Sequence, residues 1–170
     1  MAKAGEKDLL FVSKSTKEKL DALSAGASLV SRTGYEVAEL KAKAASDRLA
    51  LAQALLKDAN AALLAKRKLY RTAVSRSYYS MYHALRAVAY INHGGDDHES
   101  HTVLPSKIPD DFPNKRDWEN SLKNARFERN RSDYDPYPRK DDAFQAIARE
   151  LVKSAADLIP VARKYIRSKS

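Results

Sequence analysis

The chain of 170 residues contains no cysteine. That excludes disulfides, zinc–thiolate centres and cysteine nucleophiles together, and it suits a reducing compartment. Glycine is scarce, with five residues, and no period-2 alternation of apolar and polar residues persists, so half-buried strands are not expected. No apolar run approaches the roughly 20 residues that a membrane span requires. The opening MAKAGEKDLLFV lacks the hydrophobic stretch of a signal peptide, and a cytoplasmic protein is expected. There is no glycine-rich phosphate loop, no G-x-S-x-G elbow and no carboxylate pair placed on one helix for acid–base work.

What is present is alanine, leucine and positive charge. The composition is that of an all-α protein, and 170 residues suffice for one domain with a real core. A net charge of +9 favours a polyanionic partner. The chain is organised around Arg71–Asn92, RTAVSRSYYSMYHALRAVAYIN, a helix without internal Gly or Pro that ends at Gly94-Gly95. At about 100° per residue, Val74, Tyr78, Met81, Leu85 and Val88 share a core face. The opposite face carries Arg76, Tyr79, His83, Arg86 and Tyr90. It mixes rings, cations and an imidazole where a solvated face would carry Lys, Glu and Gln.

Around that helix the order is simple. Residues 1–34 form a basic arm in which Ser15-Thr16-Lys17-Glu18 has capping-box form and Gly26 and Gly34 weaken and end a short helix. From Tyr35 to about Ala65 a long helix is expected, with Val37, Leu40, Ala44, Leu51, Leu55 and Leu63 as its apolar positions. After Asn92 a loop, HGGDDHESH, groups His93, His98 and His101 with Asp96, Asp97 and Glu99. The grouping invites a metal, but the loop offers no firm scaffold or second shell of the kind such sites use. Neither metal nor cofactor is expected. Asn114 is placed to cap a helix running to about Ser132, with Trp118, Leu122 and Ala125 as its buried stripe. Arg129 falls on that same stripe, with Arg126, Asn130 and Asp133 at its edge. An arginine there requires a carboxylate, a phosphate or an exit to solvent. Arg131 points the other way, where it suits the last carbonyls of the helix. After the Asp133–Pro138 turn, a last helix of about Asp141–Ser168 carries Phe144, Ile147, Leu151, Ala155 and Leu158, with Pro160 expected to kink it.

Arg, His, Asn, Asp and Tyr on two helices make the inventory of a phosphate site without metal. Guanidinium holds phosphoryl oxygens, and a neutral imidazole exchanges protons near neutral pH. In RNA the 2′-hydroxyl supplies the nucleophile. Two blocks, Ala73–Ala84 (AVSRSYYSMYHA) and Arg126–Tyr137 (RFERNRSDYDPY), resemble the HEPN (higher eukaryotes and prokaryotes nucleotide-binding) family. They are closest to the subgroup that stands beside minimal nucleotidyltransferases. The resemblance spans about Tyr35–Ile166. It implies an up-and-down bundle of four to five core helices, with residues 1–34 as an extension and 35–170 as the HEPN-like bundle. It also implies a homodimer whose polar motifs meet in a cleft. Catalytic members of that family are metal-independent ribonucleases, many of them toxins of toxin–antitoxin or phage-defence systems. Their motif maps its Arg and polar residue onto Arg129-Asn130, while Ser132 stands where the histidine before Asp133-Tyr134 is expected.

Three readings stay open on these residues. In the first, Arg126 and Arg129 hold phosphate, His83 exchanges protons, Asn130, Asp133 and Tyr134 position them, and Arg76, Tyr79 and Arg86 contact RNA. In the second, the chain is a non-catalytic dimer that binds nucleotide or a nucleotidyltransferase-like partner. In the third, the Tyr/Arg face is a dimer contact alone.

Overall fold

The computed structural model describes residues 5–169, and among them the regular structure is entirely helical. Six α-helices follow in order: α1 (Glu6–Ser13), α2 (Lys17–Thr33), α3 (Val37–Leu64), α4 (Tyr70–His93), α5 (Lys115–Tyr134) and α6 (Gln145–Lys169). Two 3₁₀ turns, Leu104–Lys107 and Asp141–Phe144, precede α5 and α6. The chain divides into two compact units, Met1–Leu40 and Lys41–Ser170.

The first unit is more helical than its glycines suggest. Thr16 caps α2, its hydroxyl accepting the Lys19 N–H at 3.3 Å. The helix passes through Gly26 and stops at Gly34, which takes the left-handed conformation at φ +70° and donates its N–H to Val30 O. A residue without Cβ adopts that conformation at no steric cost. Neither α1 nor α2 buries a residue.

The second unit is built on α4. Its buried positions run nearly all round the helix, from Tyr70 and Ala73 through Tyr78, Met81 and Leu85 to Ala89. The half-open positions are Arg71, Ser75, Tyr79, His83, Arg86, Tyr90 and Ile91. The first six follow one another at steps of three or four and so form a single strip. Compared with the expected polar face, Arg76 lies one position off the strip and is exposed. α6 packs along α4 with Leu151, Leu158 and Ile166 and with Ala148, Ala155 and Ala162, and the preceding 3₁₀ turn adds Phe144, all buried. Pro160 sits inside α6, and the helix continues through it.

α3 corrects the expected stripe. It buries Ala45, Leu49, Ala52, Ala59 and Ala62, whereas Leu51 is 46% exposed and Ala44 is also open. Leu55 and Leu63 are half-buried. Two neighbouring apolar stripes compete on this alanine-rich helix, and the smaller side chains allow the closer approach to the core. Ser80 of α4 fixes the contact by donating to Ala52 O at 2.8 Å.

The helix ends near the strip are held from a distance. Leu69 offers α4 no side-chain cap. Instead the Asp141 carboxylate accepts the N–H groups of Tyr70 at 2.6 Å and Arg71 at 3.1 Å, which also places an anion at the positive end of the helix dipole. Asn114, expected to cap α5, is left-handed at φ 54° and makes no side-chain cap bond. Its carbonyl instead accepts from Asp117 and Trp118. The remote cap on α4 predicts that Asp141→Ala costs about 1–2 kcal/mol, read as a lower midpoint in urea denaturation, and that Asp141→Asn recovers part of the loss.

Candidate functional site

The N-terminal half of the α4 strip meets the last turns of α5. Leu122 and Ala125 bury the first part of the α5 stripe, and Arg129, two turns on from Leu122, continues it into a half-buried position between helices. Its guanidinium lies over the rings of Tyr79 at 5.0 Å, Tyr134 at 5.2 Å and Tyr78 at 5.7 Å. It donates to the Tyr79 and Tyr134 hydroxyls and to the Asn130 side-chain oxygen, the last two at 3.1 and 3.0 Å. Asp133 stands 3.2 Å from Nε, an ion pair whose angle does not make a hydrogen bond, since buried Nε has no hydrogen-bond partner among the described residues. The arginine on the core stripe is therefore met by tyrosine hydroxyls and rings as well as by a carboxylate.

Beside it opens a cavity of about 480 Å³ lined by Arg71, Thr72, Ser75, Arg76, Tyr79, Ser132 and Asp133. Tyr79 and Asp133 hold Arg129 and also line this space. Ser75 donates to Asp133 at 3.1 Å. Ser132 is buried, and its hydroxyl donates to Arg129 O at 2.9 Å, which ties it into the last turns of α5; a neutral serine hydroxyl is too weak a base to stand in for the expected histidine. Arg76, exposed at the rim, has no ion-pair partner among the described residues. Arg126 lies close enough to add to the burial that lowers the His101 pKa and to offset part of the burial that raises that of Tyr78.

Arg71 was not singled out by sequence reasoning, yet it shapes this region. It donates to four carbonyls: Ser132 at 2.7 Å, Pro138 at 2.7 Å, Asp135 at 2.9 Å and Arg131 at 3.4 Å. They belong to the α5 C-terminus and the loop after it, where carbonyls run short of intrahelical donors; the Arg131 carbonyl also accepts the Asp135 N–H at 3.3 Å. The expectation that Arg131 satisfies such groups is not met. Arg131 pairs with Glu128 at 2.8 Å and lies over the Phe127 and Phe144 rings. A signal for Arg71 existed only in its position opening the central helix.

The C-terminal half of the strip faces different neighbours. His83 lines a cavity of about 460 Å³ with Ala44, Asp47, Arg48 and Leu51 of α3, and its Nδ1 is buried without a hydrogen-bond partner among the described residues. Burial above all, then Arg48, Arg86 and His101, push its pKa from 6.5 down to about 4. Arg86 bonds Asp96 through two nitrogens and Glu99 at 2.8 Å, while Arg48 reaches the same Asp96 at 3.1 Å. The Arg86 hydrogen bond chiefly holds the Asp96 carboxyl below its usual range. Tyr90 lies under Arg48 at 5.9 Å. His83 thus lines the cavity on the α3 side, whereas Arg129 of α5 meets the other half of the strip beside the Tyr79–Asp133 cavity, and no one cavity joins them.

Between the halves lies His101, stacked on Tyr82 with centroids 4.2 Å apart and edge-on to Tyr79 at 6.1 Å. Its Nδ1 is 2.5 Å from the Tyr78 hydroxyl. The other loop histidines pack elsewhere. His93 meets His98 edge-on at 4.6 Å and reaches Lys107 O at 3.0 Å. No group of three metal-capable side chains is gathered among the described residues, and no helix among them is long and apolar enough to cross a membrane.

With this geometry in place, the family model described as HEPN domain matches residues 38–165. The chain belongs to the HEPN family. No curated protein and no solved structure matches it. The match spans both halves of the strip, all of α4 and α5, and the loop that carries His101.

Two outcomes test this arrangement. Arg71→Met costs about 1–3 kcal/mol by leaving carbonyls unpaired, measured by urea denaturation. Arg71→Lys recovers only a part, because an ammonium cannot fork across separate acceptors. For His83, the unfolded chain binds a proton between pH 6.5 and about 4 that the folded chain refuses. Stability therefore falls as pH drops through that window. His83→Gln flattens the dependence of unfolding free energy on pH there, and an unchanged slope would show that His83 titrates normally.

Proposed function

We propose that this HEPN protein is RNA-directed and cleaves RNA without metal, the phosphodiester lying in the cleft between α4 and α5. The observation that carries the reading is Arg129: a half-buried guanidinium fixed by Tyr79, Tyr134 and Asn130 beside an open cavity. A preorganised cation at such a place stabilises charge as it develops on phosphoryl oxygens, without reorganising at the moment of reaction. Arg76 at the rim and the net charge of +9 supply the sequence-independent attraction to the backbone. Tyr79, Tyr134 and Tyr137 offer ring faces of the kind on which unpaired bases stack. In this reading the protein works as a cytoplasmic homodimer of toxin–antitoxin or phage-defence type, with a nucleotidyltransferase-like protein as its partner.

The non-catalytic reading has one specific observation in its favour. Ser132 occupies the place of the expected histidine, and a neutral serine hydroxyl is too weak a base to replace an imidazole. Under that reading the same cleft binds RNA or nucleotide and leaves it intact.

The decisive measurement incubates the protein with single-stranded RNA in EDTA. Cleavage is expected, falling at least about 100-fold in Arg129→Ala. Arg76→Ala weakens binding and lowers the slope of log affinity against log salt by about 0.7 for one lost phosphate contact. Binding without cleavage supports the non-catalytic reading, and absence of binding overturns both.

A further inference from the structure

The Arg129 cluster holds a guanidinium, tyrosine hydroxyls and the Asp133 carboxylate, which is engaged by Arg129 and Ser75, but neither Ser132 nor His83 gives it a proton acceptor. A neutral serine hydroxyl is too weak a base, and His83 opens toward α3. A third group lies nearer. The ring of His101 and the guanidinium of Arg129 share two neighbours, Tyr78 and Tyr79. Arg129 lies 5.7 and 5.0 Å from those ring centroids, and His101 lies 5.7 and 6.1 Å from the same two. His101 is also stacked on Tyr82 at 4.2 Å, so the imidazole is fixed in orientation on three rings of α4.

Resting on the RNA-cleaving reading above, we infer that His101 is the proton acceptor of this site. Three observations support the assignment. The imidazole is held at one nitrogen only: Nδ1 meets the Tyr78 hydroxyl at 2.5 Å, and Nε2 makes no hydrogen bond among the described residues. For that role the imidazole carries its proton at Nδ1, which donates to the Tyr78 oxygen and leaves the Nε2 lone pair open. Second, burial keeps the Tyr78 phenol protonated, its pKa pushed up to about 12, so it orients the imidazole without ionising. Third, burial and then Arg129, Arg126 and Arg86 lower the His101 pKa, which keeps the ring neutral and able to accept a proton at neutral pH. The groups facing it are Tyr78, Tyr79, Tyr82, His83 and Arg86 of α4 and Arg126 and Arg129 of α5.

The step balances with RNA and solvent alone. His101 Nε2 takes the proton of a ribose 2′-hydroxyl as its oxygen attacks the adjacent phosphorus. The O2′–P bond forms and the P–O5′ bond breaks, while Arg129 stabilises the charge on the phosphoryl oxygens. The leaving 5′-oxygen takes a proton from water, and the imidazolium returns its own to solvent. The products are a 2′,3′-cyclic phosphate and a 5′-hydroxyl.

The test compares His101→Gln, Tyr78→Phe and His83→Gln with the unaltered protein on single-stranded RNA in EDTA, each variant first checked for an unchanged far-UV spectrum. His101→Gln is expected to lower kcat about 100-fold or more while RNA affinity stays within about twofold. Tyr78→Phe, which keeps the ring and removes only the hydroxyl, gives a smaller loss confined to kcat. A companion measurement does not require turnover. With ¹⁵N-histidine protein, a 2′-O-methyl RNA oligonucleotide should shift the His101 Nε2 resonance. Cleavage that survives His101→Gln but fails in His83→Gln would move the role to His83 and overturn the inference while the RNase reading stands. An unmoved His101 Nε2 signal with the oligonucleotide bound overturns it as well. An unaltered protein that binds the oligonucleotide but never cleaves RNA sinks the RNase reading, and the proton-acceptor role with it.

Discussion

The burial of α4 is the constraint on which the rest of the structure depends. α6 lays Ala148, Ala155 and Ala162 against it, α5 contributes Leu122 and Ala125, and α3 contributes Ala52. Small side chains permit close approach, and dense packing on several sides leaves α4 one strip that still reaches solvent. Arg129, His101 and Asp133 touch that strip, while Asn130 and Tyr134 reach it through Arg129. The site is thus the part of the central helix that the core failed to cover.

The strip is not uniform. Its first half, from Arg71 to Tyr79, faces α5 and the loop behind it. Its second half, from His83 to Tyr90, faces α3 and the acidic Asp96–Glu99 segment. A helix advances about 1.5 Å per residue, so two residues on one face a turn or more apart can meet different partners. Two cations are handled in opposite ways along it. Arg86 is neutralised by Asp96 and Glu99, whereas Arg129 is held mostly by neutral tyrosines and an amide, with one carboxylate at its side. The charge of Arg129 is therefore less cancelled and better placed to meet an anion.

Much of this was legible beforehand. The all-helical class, the central helix and its end at Gly94, the core stripe of the last helix, and the awkward position of Arg129 on an apolar line all follow from periodicity and glycine placement. The HEPN resemblance carried by the Ala73–Ala84 and Arg126–Tyr137 blocks agrees with the family match. Less legible was α3, where adjacent alanine and leucine stripes fit a 3.6 period about equally and only contact with Ser80 and the core chose between them. The long-range caps were illegible. Asp141 closes α4 and Arg71 closes α5 from about 60 to 70 residues away, and no local motif encodes a partner at that distance.

The sequence by itself determined which residue types could do chemistry and on which helices they ride, because helix period and residue chemistry are local properties. It could not determine which histidine stands beside Arg129. His83 is written into the central helix and His101 into an irregular loop, so spacing favours the former. The tertiary structure puts His101 against Tyr78, Tyr79 and Tyr82 and turns His83 toward α3. The physical reason is that loop placement follows from what the packed helices leave open, and that is settled only when the whole core has closed.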